Sequence, residues 1–172
     1  NLDILAKRPF PTLLQEVTAP KAALKGLQGA MAARGHNALL GPPDPAASKA
    51  TAGVGITTPR NMAVFRLPPI FPAGELAKLI ERGRADIYLT QISLELWIIA
   101  YNLYAWQGSD RDPADMERTT KALQAIHVDT IARSRKTPGP MLIAMDLNAT
   151  PQNCEAYKEM IAGSWVDIGA YT

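Results

Sequence analysis

The apolar run Met141-Leu142-Ile143-Ala144-Met145 stops abruptly at Asp146-Leu147-Asn148, and Ala149-Thr150-Pro151 turns the chain away. Five apolar residues bounded by turn formers suit a short buried strand. Side chains alternate along a strand, so Asp146 and Asn148 fall on the same side at its carboxyl end. The plain reading is a strand followed by an Asx-type turn, in which one of these side chains bonds nearby backbone. The chemical reading is a carboxylate and an amide presented together at a sheet edge, where α/β and sandwich enzymes gather their reactive groups.

The rest of the chain alternates short strands with helices. Phe10 to Val17 reads as a strand with Glu16 near its end, and Lys21 to Arg34 as a helix with Leu24, Leu27 and Met31 on one face, closed by Gly35. His36 falls in the turn after Gly35, and Gly41 to Ala47, with three prolines, is an irregular loop. Val54 to Thr58 and Met62 to Leu67 read as two strands of a hairpin turning at Pro59-Arg60-Asn61. Glu75 to Arg82 is a short helix, and Asp86 to Leu94 alternates with period two. Leu96 to Tyr104, the most apolar run, fits a central strand. Asp112-Pro113 is an N-cap followed by proline at the first helical position, opening a helix to about Arg135 with Met116, Leu123, Ile126 and Thr130 inward. A last helix starts at Thr150-Pro151 and closes at Gly163. Strands in pairs with helices interposed predict an α+β fold or a helix-flanked sandwich.

A chain of 172 residues is enough for one domain with a sizeable core. Its net charge of +2 does not mark an electrostatic binder of nucleic acid, which carries a clearer basic stripe. The single cysteine, Cys154, excludes an internal disulfide, so a reducing, intracellular compartment, nuclear or cytoplasmic, is the simplest fit. No apolar run approaches the roughly 18 residues of a membrane span. The chain opens on Asn1 and stops at Ala170-Tyr171-Thr172 with no tapering polar tail; the expectation is a piece of a longer protein.

Three strand ends carry polar groups: Glu16, then Asn102 with Tyr104, then Asp146 with Asn148. Carboxylates and an amide oxygen are hard donors that suit Mg²⁺, with Mn²⁺ as a substitute. A metal so placed polarises a phosphoryl group, and a second carboxylate can orient or deprotonate the attacking water. Bland roles exist for the remaining candidates. His127 projects near the inner stripe of its helix as a core-edge residue. Arg133, Arg135 and Lys136 read as a solvated helix end that favours the dipole. Cys154 reads as a small packing residue.

These blocks, in order, resemble the endonuclease/exonuclease/phosphatase superfamily, the metal-dependent phosphoesterases related to DNase I and the abasic-site endonucleases. Leu14-Gln15-Glu16 resembles its Leu-Gln-Glu block and Gly53-Val54-Gly55-Ile56 its Gly-Val-Ala-Ile strand. Tyr101-Asn102-Leu103-Tyr104-Ala105 resembles Asn-Val-Tyr-Ala-Pro, and Met145 to Pro151 resembles Gly-Asp-Phe-Asn-Ala-Thr-Pro. The resemblance implies two packed mixed sheets flanked by helices. It implies Glu16 as metal ligand, Asp146 handling the nucleophilic water, Tyr104 and Asn148 at the phosphate, and Asn102 bracing the site. It also implies a metal-dependent phosphodiesterase, with nucleic acid as the favoured partner. A retroelement-type endonuclease fused to a polymerase would account for the ends.

The sequence departs from the family at several points. Met145 replaces a glycine and Trp106 a proline. The first-strand asparagine has no trusted equivalent, since Asn1 abuts a helix-like Leu2 to Lys7. The closing Ser-Asp-His block is absent, and both histidines, His36 and His127, precede Asp146. The expectation is therefore one incomplete DNase I-like domain over residues 1–172, lacking the first strand and the last block. The alternatives are a weakly active or inactive fragment that serves as a binding module, or a phosphatase for lipid head groups or small phosphoesters.

Overall fold

The structure is a computed structural model that describes residues 2–45, 53–163 and 165–171. Asn1 and the end of the 41–47 loop lie outside these residues. The elements in chain order are α1 (Leu2–Leu5), β1 (Thr12–Val17), α2 (Lys21–Ala33), β2 (His36–Leu40), β3 (Gly53–Pro59), β4 (Val64–Arg66), α3 (Glu75–Glu81), β5 (Ala85–Gln91), β6 (Trp97–Tyr104), α4 (Pro113–Lys136), β7 (Met141–Asp146) and α5 (Glu155–Ala162). Short 3-10 turns occupy Pro151–Asn153 and Ile168–Tyr171.

Two sheets form, as expected. One has the strand order β1-β3-β2 and the other β4-β5-β6-β7. Only the larger is mixed: β4, β5 and β6 are antiparallel, whereas β6 and β7 run parallel. The smaller sheet is antiparallel throughout, which corrects the expectation of two mixed sheets. Parallel neighbours cannot be joined by a tight turn. The 24-residue α4 makes the crossover, started by Asp112, whose carboxylate accepts from Ala114 N at 2.9 Å.

Strand β6 has a layer on each face, and its alternation divides the two cores. Ile99, Tyr101 and Leu103 join Leu123 and Ile126 of α4, Leu76 and Leu79 of α3 and Met160 of α5 in the main core. Asn102 and Tyr104 point the other way, into the sheet–sheet layer, where Tyr104 packs on Val54. Fully buried, Asn102 donates from Nδ2 to Leu14 O (2.8 Å) and Gly55 O (3.0 Å), while its Oδ1 accepts from Gln15 Nε2 (3.1 Å). One amide thus joins β6 to β1 and β3, and every bond it needs is made inside the protein. Gly55 allows β2 to lie close on β3: a Cβ there would meet Leu40 Cδ2 at 2.8 Å and Leu39 O at 3.0 Å.

Several sequence expectations are corrected. Residues 53–59 and 64–66 do not form a hairpin. Strand β3 is central in its sheet, with both edges taken by β1 and β2, so β4 has no edge to pair with and crosses to β5 in the other sheet. The turn between them is tied to β2 instead: Arg60 N donates to Gly35 O and Asn37 Nδ2 to Met62 O. His36 is not in a turn but opens β2, a strand the sequence reading missed, and is buried. Arg133 is not solvated. It is buried, donating to Asp129 (Nη2–Oδ2 3.0 Å), to the Tyr101 hydroxyl (3.0 Å) and to Pro68 O (2.7 Å). Arg135 and Lys136 are exposed, as expected. The last helix splits into the Pro151–Asn153 turn and α5, with Cys154 buried between them, 3.6 Å from Thr120 Oγ1.

A candidate active site at the carboxyl edge

Parallel pairing places the ends of β6 and β7 side by side, with Tyr104 in register with Asp146. Ala105 N donates to Asp146 O (2.9 Å), so the edge stays zipped one residue beyond β6. Strand β1 is laid across the same end. Gln15 Nε2 donates to Leu103 O (3.2 Å), and Glu16, the next residue, is the last but one of β1. Glu16, Tyr104, Asp146 and Asn148 are thus brought to one edge by three different strands.

Glu16 and Asn148 share a further property. They are the two non-glycine residues with positive φ among those described, at 53° and 49°. An L residue in the left-handed region is strained, asparagine less so than glutamate, and such strain gathers at functional sites. At Glu16 the cause is a bulge, since the register between β1 and β3 shifts between Leu14 and Val17. The bulge presents Glu16 to solvent, and its carboxylate has no hydrogen bond or ion pair with any described residue. At Asn148 the cause is an Asx turn: Asp146 Oδ1 accepts from Asn148 N at 3.0 Å. The plain reading of this motif is therefore realised, and it leaves Oδ2 of Asp146 uncommitted. Asn148 Nδ2 donates to Ala105 O at 3.4 Å.

Tyr104 is 2% exposed. Its hydroxyl oxygen accepts from Gln107 Nε2 at 2.9 Å, which leaves its own hydrogen free to donate. Burial pushes the Tyr104 pKa above its ordinary value, the Gln107 bond pulls it down, and the negative charges of Glu16 and Asp146 raise it further, against Arg84. Both carboxylates therefore act on one hydroxyl.

Three supporting residues escaped sequence reasoning. Gln15 faces inward as the alternate of Glu16, a position the strand period could have flagged. Gln107 lies in a loop with no pattern to single it out. Asp110 accepts from Thr150 N (2.9 Å) and Thr150 Oγ1 (3.1 Å), and so holds the turn after Asn148; in the sequence it is indistinct from the neighbouring cap, Asp112. The histidines are not brought to the edge by any contact. His36 pairs with Pro59, at the end of β3 remote from Gly53 and Val17, and its Nε2 lies 3.1 Å from Arg8 O. His127 is half-buried on α4.

The arrangement can be compared with known proteins. No protein-family model matches the chain, and no curated protein sequence matches it. Solved structures do match. The human Nocturnin catalytic domain with bound sulfate superposes with a TM-score of 0.59 at 17% identity, over 94% of this chain and 59% of that one. An endonuclease/exonuclease/phosphatase family protein from Bacteroides thetaiotaomicron gives 0.56 at 13% identity, over 94% and 58%. The chain has the DNase I-like fold that these structures share. The endonuclease domain of TRAS1, a telomere-specific non-LTR retrotransposon, is also similar, at TM-score 0.50 and 15% identity over 94% and 60%. The chain spans about three fifths of the length of each of these structures. The fold read from the ordered blocks is thus the fold observed, although identity is too low for sequence comparison to register it. No helix among the described residues is long and apolar enough to cross a membrane.

Proposed function

We propose that this chain belongs to a divalent-metal-dependent phosphodiesterase that acts on nucleic acid. The observation that carries the reading is the coincidence at one edge of the two strained non-glycine residues, Glu16 and Asn148, with Asp146 and a buried tyrosine that feels both carboxylates. Strain at two separate positions, converging on one set of polar groups, is what a site held for chemistry requires.

Among the described residues no group of three or more His, Cys, Asp or Glu side chains could hold a metal ion. Mg²⁺ does not need one, because it keeps several waters and takes one or two carboxylates. The exposed, unpaired carboxylate of Glu16 and the free oxygen of Asp146 fit such an open, hydrated ion, or Mn²⁺ in its place. When bound, the ion would supply Lewis-acid polarisation of the phosphoryl group. The chain's own groups account for the rest. Asp146 Oδ2 is free to orient a water or take its proton, since Oδ1 is engaged by the turn. Tyr104, with its raised pKa, remains a protonated donor toward a phosphate oxygen at neutral pH. Asn148 supplies a second donor from the amide hydrogen not used on Ala105, and Asn102 keeps Tyr104 in place by locking β6 to β1 and β3. A retroelement endonuclease carried beside a polymerase is the narrowest form of the reading, and the reading frame on either side of this segment tests it.

The metal part is tested without turnover. Mn²⁺ should broaden the NMR signals of residues around Glu16 and Asn148, and Glu16→Gln should abolish the broadening while the fold persists. For the chemistry, Asp146→Ala should lower Mg²⁺-dependent cleavage of a labelled oligonucleotide by about 10² or more, in the range seen when one group that stabilises a transition state is removed. Undiminished cleavage by Asp146→Ala would sink the mechanism.

A further inference from the structure

We propose that Arg84 is a phosphate-binding residue of this site, an assignment that rests on the phosphodiesterase reading above. Arg84 precedes β5, and its carbonyl accepts from Tyr104 N at 2.8 Å, so its backbone is fixed to the end of β6. Its side chain is 11% exposed and held on four sides. Nε donates to Asp44 Oδ2 at 2.9 Å and Nη1 to Ala105 O at 3.0 Å. The guanidinium carbon lies 5.6 Å from the centre of the Tyr104 ring and 5.0 Å from that of Trp106. The Ala105 carbonyl that takes Nη1 also takes the Asn148 amide. A single oxygen atom therefore separates the arginine from a residue of the proposed phosphate site. Nη2 makes no hydrogen bond with any described residue.

The chemistry follows from this placement. A guanidinium is a planar fork of donors that matches phosphate oxygens, and it cannot lose its charge. Side-chain entropy usually weakens an arginine contact, but the ion pair and the two rings have already fixed this one. A donor fixed in advance is worth more to a developing charge than a mobile one. The need is local: Glu16 and Asp146 would repel a phosphate approaching Tyr104, and Arg84 is a cation acting on that hydroxyl. Trp106 supplies the second ring, by cation–π contact, at the position where the superfamily block has a proline. The departure in the sequence is thereby tied to this arginine. A purely structural role, bracing the start of β5 against the end of β6, would use the same ion pair but would leave Nη2 idle.

The test uses the full chain in EDTA, so that neither metal nor turnover contributes. Inorganic phosphate is titrated while the Nε–Hε signal of Arg84 and the side-chain amide of Asn148 are followed by ¹H–¹⁵N NMR. Both should shift together and saturate. In parallel, a fluorescein-labelled single-stranded 12-mer is titrated at several salt concentrations. Arg84→Lys, which keeps the charge and removes the planar fork, should bind it about tenfold or more weakly, the scale of one charge-assisted bond. Arg84 signals that stay fixed while Asn148 moves, or that stay fixed along with Asn148, overturn the assignment. So does an Arg84→Lys protein that folds and binds with unchanged affinity. Should Arg84→Lys fail to fold, the phosphate titration of the unaltered chain decides alone. Cleavage that depends on Asp146 alongside an unmoved Arg84 would retain the phosphodiesterase and discard this role. Phosphate binding at Arg84 without any metal-dependent cleavage would discard the enzyme instead.

Discussion

Tyr104 combines two demands that usually conflict. Its ring fills the layer between the sheets, and its hydroxyl must remain available at the rim. The structure reconciles them by letting Gln107 satisfy the oxygen while the hydrogen stays free. Burial also raises the pKa values of Tyr88 and Tyr101, the latter further through its bond to Asp129. A proton held more tightly in the folded state has a defined effect on stability. The contribution is full below the ordinary tyrosine value of about 10 and is lost as pH climbs through the raised folded value. Absorbance near 295 nm should therefore show these tyrosines resisting ionisation past about pH 10, until alkaline unfolding releases them together. Replacing Tyr101 by Phe should flatten the alkaline loss of stability. Ordinary titration of every tyrosine in the native protein would contradict the burial described.

Helix α4 does more than cross from β6 to β7. Asp129, 1% exposed, accepts from the Tyr101 hydroxyl (2.7 Å), from Arg133 and from Ile70 N (2.6 Å). It thereby pins the helix to the central strand and to the loop before α3. That strand carries Asn102 and Tyr104 on its other face, so the pin sets the height of the site from behind. Removing one partner of a buried pair leaves the other charge uncompensated, at a cost of about 3–5 kcal/mol. Asp129→Ala should show a loss of that size in urea unfolding. A change below about 1 kcal/mol, the size expected of an exposed pair, would mean that water reaches Arg133.

Over the whole molecule, the larger sheet ends at β7, an edge strand whose side chains are all partly exposed and whose one charge is Asp146 at its end. Its opposite edge, β4, has only three residues and carries Arg66, and the β1 edge is bent by the Glu16 bulge. Short length, charge and bulging are devices that discourage strand addition, and β7 has only the one charge at its tip. Val166 and Ile168, 67% and 63% exposed, lie beside this edge with Met141 and Ile143. The chain of residues 1–172 should therefore associate at its β7 edge. Sedimentation velocity at rising concentration should give an average mass above that of the monomer. A monomer at every concentration, with a cooperative melt at high temperature, would mean that the edge is protected.

Some of this was settled by local chemistry. The run from Met141 to Met145 had to be a strand, Asp112-Pro113 had to start a helix, and Asp146-x-Asn148 had to turn, because periodicity, capping and Asx geometry act over a few residues. The order of four such blocks was enough to specify the fold and to nominate Glu16, Asn102, Tyr104, Asp146 and Asn148. Other features depend on which strands become neighbours. The β3–β4 hairpin failed because both edges of β3 were already occupied, a fact about residues 12–17 and 36–40 that the 54–67 segment does not contain. Arg133 looked like a solvated helix end because its partners, Tyr101 and Pro68, lie 32 and 65 residues away. Arg84 carried no signal at all: its anchor precedes it by 40 residues, its second acceptor follows by 21, and its rings come from the end of another strand. Contacts made across that distance exist only after the sheets have packed, and the left-handed strain at Glu16 likewise belongs to a bulge that forms only when β1 pairs with β3.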